Sequence, residues 1–233
     1  MNKLIVGTIV LSLFCLISTI AIAAETAATT SASSNLEAIK IELPKEFFGG
    51  TPIDYWSANL EPDENWKERA PFLAPPGTVV ISAGKPVSSS AKFPTLGEVK
   101  MLVDGDKNYA KNSLLELPEG VQWVQIDLQA KAKIYALLVW HFHEGKRVYF
   151  DVIAQVSNDP EFKTETTIVY NNDADNSTGL GVGKDKEYVE SYKGRLMDAK
   201  GVSGRYVRLY TSGNTGDDKN HYVEVEVFGQ LAK

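Results

Sequence analysis

Cysteine and histidine are nearly missing from this chain: one Cys, Cys15, and three His, His141, His143 and His221, among 233 residues. Cys15 sits in the apolar run that opens the sequence, so no disulfide can hold the remainder together. Stability must come from a buried core, helped at most by a metal. Nucleophilic catalysis lacks its usual parts as well. There is no Gly-x-Ser-x-Gly elbow, and no serine is placed by sequence beside a histidine and an acid. Basic charge is also short, with 24 Lys and Arg against 30 Asp and Glu and a net charge of −6. Nucleic acid is bound by neutralising phosphates with Lys and Arg, so this balance argues against it as a partner. Past residue 78 no segment keeps a helical period.

What is present begins with "MNKLIVGTIVLSLFCLISTIAIAAE". One lysine, an uncharged run from Leu4 to Ile22 and the small-x-small site Ala21-Ile22-Ala23 predict a secretory leader over 1–23, cut after Ala23. An uncleaved anchor is the alternative reading, because the run approaches a bilayer span. The "SLFC" before Cys15 lacks the small residue of a lipoprotein signal. Membrane contact is therefore expected only through the leader, and a cysteine-free exported chain fits a bacterial envelope, periplasmic or secreted. Cleavage removes one lysine and no acid, leaving a charge of −7.

Residues 24–35 form a Ser/Thr/Ala tether, read as a flexible linker. Residues 36–77 combine Phe47, Phe48, Tyr55, Trp56, Trp66 and Phe72 with six prolines. Prolines forbid a long helix or a central strand, and aromatics favour burial, so an irregular N-terminal arm packed over the domain is expected. An aromatic ligand platform is the sharper alternative.

From 78 to 233 the hydrophobic period is two. "VQWVQIDL" and "VYFDVIAQVS" alternate, "IYALLVW" is a short continuous apolar run, and "TTIVY", "RYVRLYTS" and "HYVEVEVFG" read as further strands. An all-β antiparallel sandwich with long polar loops follows.

The segments "SAGKPVSSS", "LVDGD", "WVQIDL", "VIAQVSNDPEF", "GRYVRLYTSGN" and "HYVEVEVFG" stand in the order and spacing of the discoidin family, also called F5/8 type C or galactose-binding-like domains. The chain resembles that family over about residues 79–229. The resemblance implies an eight-stranded antiparallel jelly-roll β-sandwich whose loops at one end bind ligand, most often a sugar in bacterial members. The aromatic arm lies outside the family pattern.

"LVDGDKNY" places Asp104 and Asp106 around a glycine turn, the oxygen-rich setting a hard cation takes, although a plain Asp-Gly turn explains it equally. The resemblance implies a structural calcium between this loop and an acid of the closing strand, which matches Glu224. The family's threonine after the Asp-Gly is replaced here by "KNYAKN".

His141 and His143 share one face if their strand continues through His143. Zinc wants a third protein ligand, and the next histidine, His221, is 78 residues further on. His-x-His on a jelly roll also resembles metal-binding cupins, but their later glutamate and second motif are missing. No tight metal is expected on the pair. Sugar recognition needs an apolar ring and planar, fixed donors and acceptors, and His141, His143, Arg147, Asn171, Asn172, Asn214 and His221 lie in or beside loops that could supply them. For the histidines, capping a strand and bonding loop carbonyls is the plainer alternative. The expected function is a non-catalytic carbohydrate-binding module. Two other classes stay open: an interaction subunit whose arm docks another envelope protein, and a metal-dependent or carbohydrate-active enzyme.

Overall fold

The alternation in "VQWVQIDL" becomes burial in the computed structural model, where Val124, Ile126 and Leu128 lie in the core. The structure describes residues 35–46, 54–108 and 113–232. The leader, nearly all of the linker, and Phe47 and Phe48 lie outside the described residues. The strands are β1 (Glu37–Ala38), β2 (Leu73–Ala74), β3 (Val79–Val80), β4 (Val87–Ser89), β5 (Leu115–Leu117), β6 (Gln122–Trp140), β7 (Ile153–Ser157), β8 (Thr167–Asn171), β9 (Arg195–Thr211), β10 (Asn220–Tyr222) and β11 (Glu224–Leu231). A 3-10 helix, Val99–Val103, precedes the Asp-Gly loop.

Every strand ladder is antiparallel. The architecture is the all-β sandwich expected. It departs from eight separate strands in one respect: β6 and β9 are long enough to serve both layers. They pair from Gln122↔Thr211 to Asp127↔Tyr206, lose register, and resume at Ala132↔Gly204. Gln129 at the break takes a positive φ of 65°, and such a bulge bends a strand and raises its twist. The first half of β6 lies with β4, the end of β9, β7 and β8; the second half lies with β11, β3 and the start of β9. Val124 and Val207 of one layer share a core with Leu137, Val139 and Val225 of the other.

A second cluster explains why "IYALLVW" is apolar on both faces. Ala136, Leu138, Trp140 and Phe228 turn outward from the second layer and are covered by Ile39, Ile41 and Phe72 of the arm. A bulge between Ile134 and Ala136 resets the parity, so Leu137 and Val139 still point into the central core. Burying a side chain of this size contributes roughly 1.5–3 kcal/mol, so the arm is an integral part of the fold. The aromatic content of the arm is only partly spent on packing, however. Tyr55 meets Phe150 at 5.6 Å, whereas Trp56 and Trp66 are 86% and 80% exposed.

The strand expected across "VYFDVIAQVS" is shorter than its alternation implies. Val148 and Tyr149 make isolated bridges to Val189 and Asn214, Asp151 adopts φ 52°, and the ladder begins only at Ile153. That interruption sets Tyr149 and Arg147 in a loop at the sandwich end.

Candidate functional site

β6 ends at Trp140, so His141 and His143 do not continue its face. The chain turns, and His143 folds back with Nδ1 3.1 Å from the carbonyl of His141. His141 has no exposed surface. Its ring stacks on Tyr149 at 4.4 Å, and Nδ1 lies 2.9 Å from Glu190 Oε2. A nitrogen facing a carboxylate carries the proton, so Nε2 holds the lone pair in the neutral ring, and that atom is buried with no hydrogen-bond partner among the described residues. His221, on β10, faces the Tyr149 hydroxyl at 3.1 Å with Nδ1 and Glu116 at 3.3 Å with Nε2. Burial pushes the pKa of His143 and of His221 down, against the pull of nearby carboxylates. Direct contact between His141 and a ligand is therefore corrected by the structure: the ring is sealed inside a Tyr149, Glu190 and Tyr222 cage.

The loops carrying the other expected residues do meet. Phe150 N–H donates to Gly213 O at 3.0 Å, Ser212 N–H to Phe150 O at 2.9 Å, and Thr215 N–H to Val148 O at 2.9 Å. These three bonds join the 141–150 turn to the loop before β10. Across them Arg147 Nη1 donates to Asn214 Oδ1 and to Asp217 Oδ2, each at 3.1 Å. Asn214 is fixed in turn, giving Nδ2 to Asp217 Oδ1 at 2.9 Å and to Lys219 O at 3.0 Å. The guanidinium lies 5.0 Å from the Phe142 ring, and the Arg147 side chain is 22% exposed. Gly216 lets the guanidinium lie close to the backbone: a Cβ there would stand 2.9 Å from it and would push the Arg147 side chain aside.

Asn171 and Asn172 serve their own loop. Asn171 Nδ2 donates to Gly181 O at 2.9 Å and its Oδ1 accepts from Asp173 N–H at 2.9 Å; Asn172 Oδ1 accepts from Val152 N–H at 2.7 Å. Both are buried, so they shape the 171–185 loop and do not join the Arg147 array. Beside them Asp151, Asp173 and Asp175 bring carboxylate oxygens within 4.8 Å, the one such three-ligand group among the described residues. Asp173 is saturated by Ser177 and Thr178.

The calcium candidates divide. Gly105 N–H donates to Glu224 Oε2 at 3.1 Å, so the Asp-Gly loop and the closing strand do come together. Burial, with Asp104 and Glu226 adding repulsion, pushes the Glu224 carboxyl up to about 8. A desolvated carboxyl beside a second acid is the setting that a hard cation relieves. Asp106 faces elsewhere: its carboxylate accepts from Asn108 N–H at 3.1 Å and from the Ser113 hydroxyl. Asp104 and Glu224 fit a cation; the Asp106 side chain does not converge with them.

Several residues of these networks were not read from the sequence. Tyr149 was assigned to a strand face, and Glu190 in "YVESYKG" carries no local pattern. Asp217 stands four residues before His221, a loop position where an acid partner could have been sought. A further set of charges, Arg69, Lys193 and Arg195, lines a groove between the arm and the segment 188–196.

Comparison with solved structures returns partial likenesses. The chain is similar to a family 89 glycoside hydrolase from Clostridium perfringens in complex with 2-acetamido-1,2-dideoxynojirmycin, at 20% identity and TM-score 0.48, over 66% of this chain and 15% of that one. It is similar to a fucose binding module of Streptococcus pneumoniae, at 19% identity and TM-score 0.46, over 64% and 96%. It is also similar to the CBM32 of AlyQ in complex with 4,5-unsaturated mannuronic acid, at 18% identity and TM-score 0.44, over 61% and 93%. The chain thus spans about 15% of the hydrolase's length. No family model and no curated protein matches it by sequence.

Proposed function

We propose that the protein is an exported, discoidin-like module that binds glycans and does no chemistry, with its ligand at the sandwich end where the 141–150 and 212–221 loops meet. One observation carries this reading: two loops distant in sequence hold Arg147, Asn214 and Asp217 in a fixed, partly exposed planar array over Phe142. A guanidinium has five N–H donors, and among the described residues both bonds of Arg147 use Nη1. The rest of the fork is available to sugar hydroxyls, and Phe142 offers an apolar neighbour for a pyranose C–H face. His221, Tyr149 and Glu116 stand behind the array and keep it rigid, which lowers the ordering cost of binding. His141 and His143 support from deeper still.

Calcium is proposed as a structural ion held by Asp104, Glu224 and backbone carbonyls of the Asp-Gly loop. Bound there, it would neutralise the buried carboxyl and tie the loop to β11. The test of function is a glycan array followed by titration of a hit. Arg147→Ala should weaken binding by about 1–3 kcal/mol, the cost of leaving polar partners unpaired, with the fold intact. Wild-type affinity in that variant would move the site elsewhere. A second reading, an interaction subunit for an envelope protein, is favoured by the exposed Trp56 and Trp66. Capture of one defined envelope protein that is lost in the Trp56→Ala variant, with an empty glycan array, would select it.

A further inference from the structure

A groove of about 600 Å³ runs between arm residues Glu61–Arg69 and the segment Tyr188–Leu196, within the size range of small-molecule sites. Its bonds define its shape. Asn65 Nδ2 donates to Val189 O at 3.0 Å, the Ser191 hydroxyl donates to Asn65 Oδ1 at 2.9 Å, and Glu61 N–H donates to Glu187 O at 2.9 Å. Gly194 is needed where this segment crosses β6, since a Cβ there would stand 2.8 Å from Val139 O and 2.9 Å from the Trp140 ring.

Most charges of the groove are matched. Arg195 Nη1 meets Glu61 at 2.5 Å, Lys67 meets Glu64 at 2.6 Å, Lys146 meets Asp63 at 2.6 Å, and Glu190 is bonded to His141. Arg69 and Lys193 differ, because they end on neutral oxygens. Arg69 Nη2 donates to the carbonyls of Lys193, at 2.7 Å, and Gly194. Lys193 Nζ donates to the carbonyls of Asn65, at 2.6 Å, and Lys67. Two N–H donors of the groove, Arg69 Nη1 and Arg195 Nε, are buried with no hydrogen-bond partner among the described residues. An unmatched buried donor costs its full desolvation, so a turn of the Arg69 side chain that brings Nη1 to a ligand oxygen gains a bond without breaking one made by that atom. Burial holds the Arg69 guanidinium below its ordinary range, Glu190 opposes this and Arg195 adds to it. Glu68, exposed, is the remaining acid of the lining.

Trp66 stands between Asn65 and Lys67, with 80% of its surface in water on backbone that the Asn65 bonds pin down. The indole is flanked in sequence by two lining residues without itself lining the groove, and Lys67 Nζ lies 5.2 Å over its ring; the exposed remainder offers a face for a sugar ring that extends past the groove. A planar carboxylate matches an arginine fork better than it matches a point charge.

We propose that this groove is a second ligand site, separate from the Arg147 end, and that it takes a carboxylate-bearing sugar residue, with Arg69 and Lys193 supplying charge and Trp66 the stacking face.

The experiment is calorimetric titration of the protein with trigalacturonate, its neutral methyl ester, triglutamate and sodium sulfate. Trigalacturonate should bind, the ester and triglutamate should bind at least tenfold more weakly, and sulfate should compete only in large excess. Arg69→Gln and Lys193→Gln should each weaken trigalacturonate binding at least tenfold, and Trp66→Ala severalfold, while Arg147→Ala leaves it unchanged. Equal binding of acid and ester, or of triglutamate, overturns the proposal. Amide NMR of the wild-type protein decides even if a variant fails to fold: trigalacturonate should perturb Asn65–Arg69 and Ser191–Arg195. Perturbation confined to the Arg147 and Asn214 loops, or no binding at all, overturns it. Loss of neutral-glycan binding in Arg147→Ala reports separately on the sandwich-end site.

Discussion

The sandwich end and the arm groove handle charge in opposite ways. At the sandwich end the ionisable groups close on one another: His141 on Glu190, His221 on Glu116 and Tyr149, and Arg147 on Asp217. In the groove Arg69 and Lys193 rest on carbonyl oxygens, and two N–H donors have no partner among the described residues. The first arrangement gives a rigid surface, which lowers the ordering cost of the binding proposed there. The second leaves bonding capacity for something that arrives. Glu190 belongs to both, since it bonds His141 on one side and opposes the Arg69 charge deficit on the other.

The largest expected effect comes from cutting that shared residue. Glu190→Ala leaves the buried His141 without its acceptor and removes the nearest anion from Arg69. Each buried donor left unpaired costs about 1–3 kcal/mol, and Glu190 also accepts from Ser191 N–H at 3.0 Å, so a urea melt should show a loss of about 3 kcal/mol or more. A loss under about 1 kcal/mol, the value of an exposed pair, would mean the two regions are not joined through Glu190.

Calcium comes next. A cation bound only by the folded state at a hundred times its dissociation constant stabilises by about 2.7 kcal/mol, so millimolar calcium should raise Tm in the wild type. Glu224→Gln should abolish that rise while itself being more stable than the wild type in chelator at pH 8. An unchanged wild-type melt between chelator and calcium removes the metal from the reading.

Protonation separates the sandwich end from the Asp-Gly loop by sign. His143 and His221 lie below the ordinary 6.5 when folded, so the unfolded chain takes their protons first; their contribution is full above pH 6.5 and is lost as pH falls toward their folded values. Glu224 runs the other way. Its folded value of about 8 exceeds the ordinary 4.5, so its contribution is full below pH 4.5 and is lost as pH rises through 8. Replacing His221 by Gln should flatten the acid limb of stability against pH, and Glu224→Gln the neutral to alkaline limb. Each variant flattening the other limb would invert the assignment. The smallest effect belongs to Trp66→Ala, expected to change stability by less than about 0.5 kcal/mol because the ring touches little, in contrast to its effect on the groove ligand.

The β-class was legible because alternation is a local signal, and "VQWVQIDL" or "HYVEVEVFG" states it within eight or nine residues. The sharing of β6 and β9 was hidden, because the bulge at Gln129 lies in "QAKAK", where the apolar alternation lapses. Arg147 and Asn214 could be named by chemical type, but their meeting depends on a contact 67 residues apart. His141 was chosen for chemistry and proved to be interior, since burial depends on what later segments cover it. The groove left no trace in the sequence because Arg69 meets Lys193 across 124 residues, and Lys and Arg on an arm look like ordinary solvated charge.

The continuity of β6 and β9 through both layers also constrains how the chain reaches its fold. Gln122 pairs with Thr211 and Val139 with Arg195, so the central ladder joins segments far apart along the chain and must close a long loop before any of its bonds form. High contact order of this kind slows folding to the millisecond-to-second range. Neither layer can assemble by itself, because each contains half of the same two strands. The sandwich should therefore melt in one cooperative transition, with no half-folded state in which one layer survives the other.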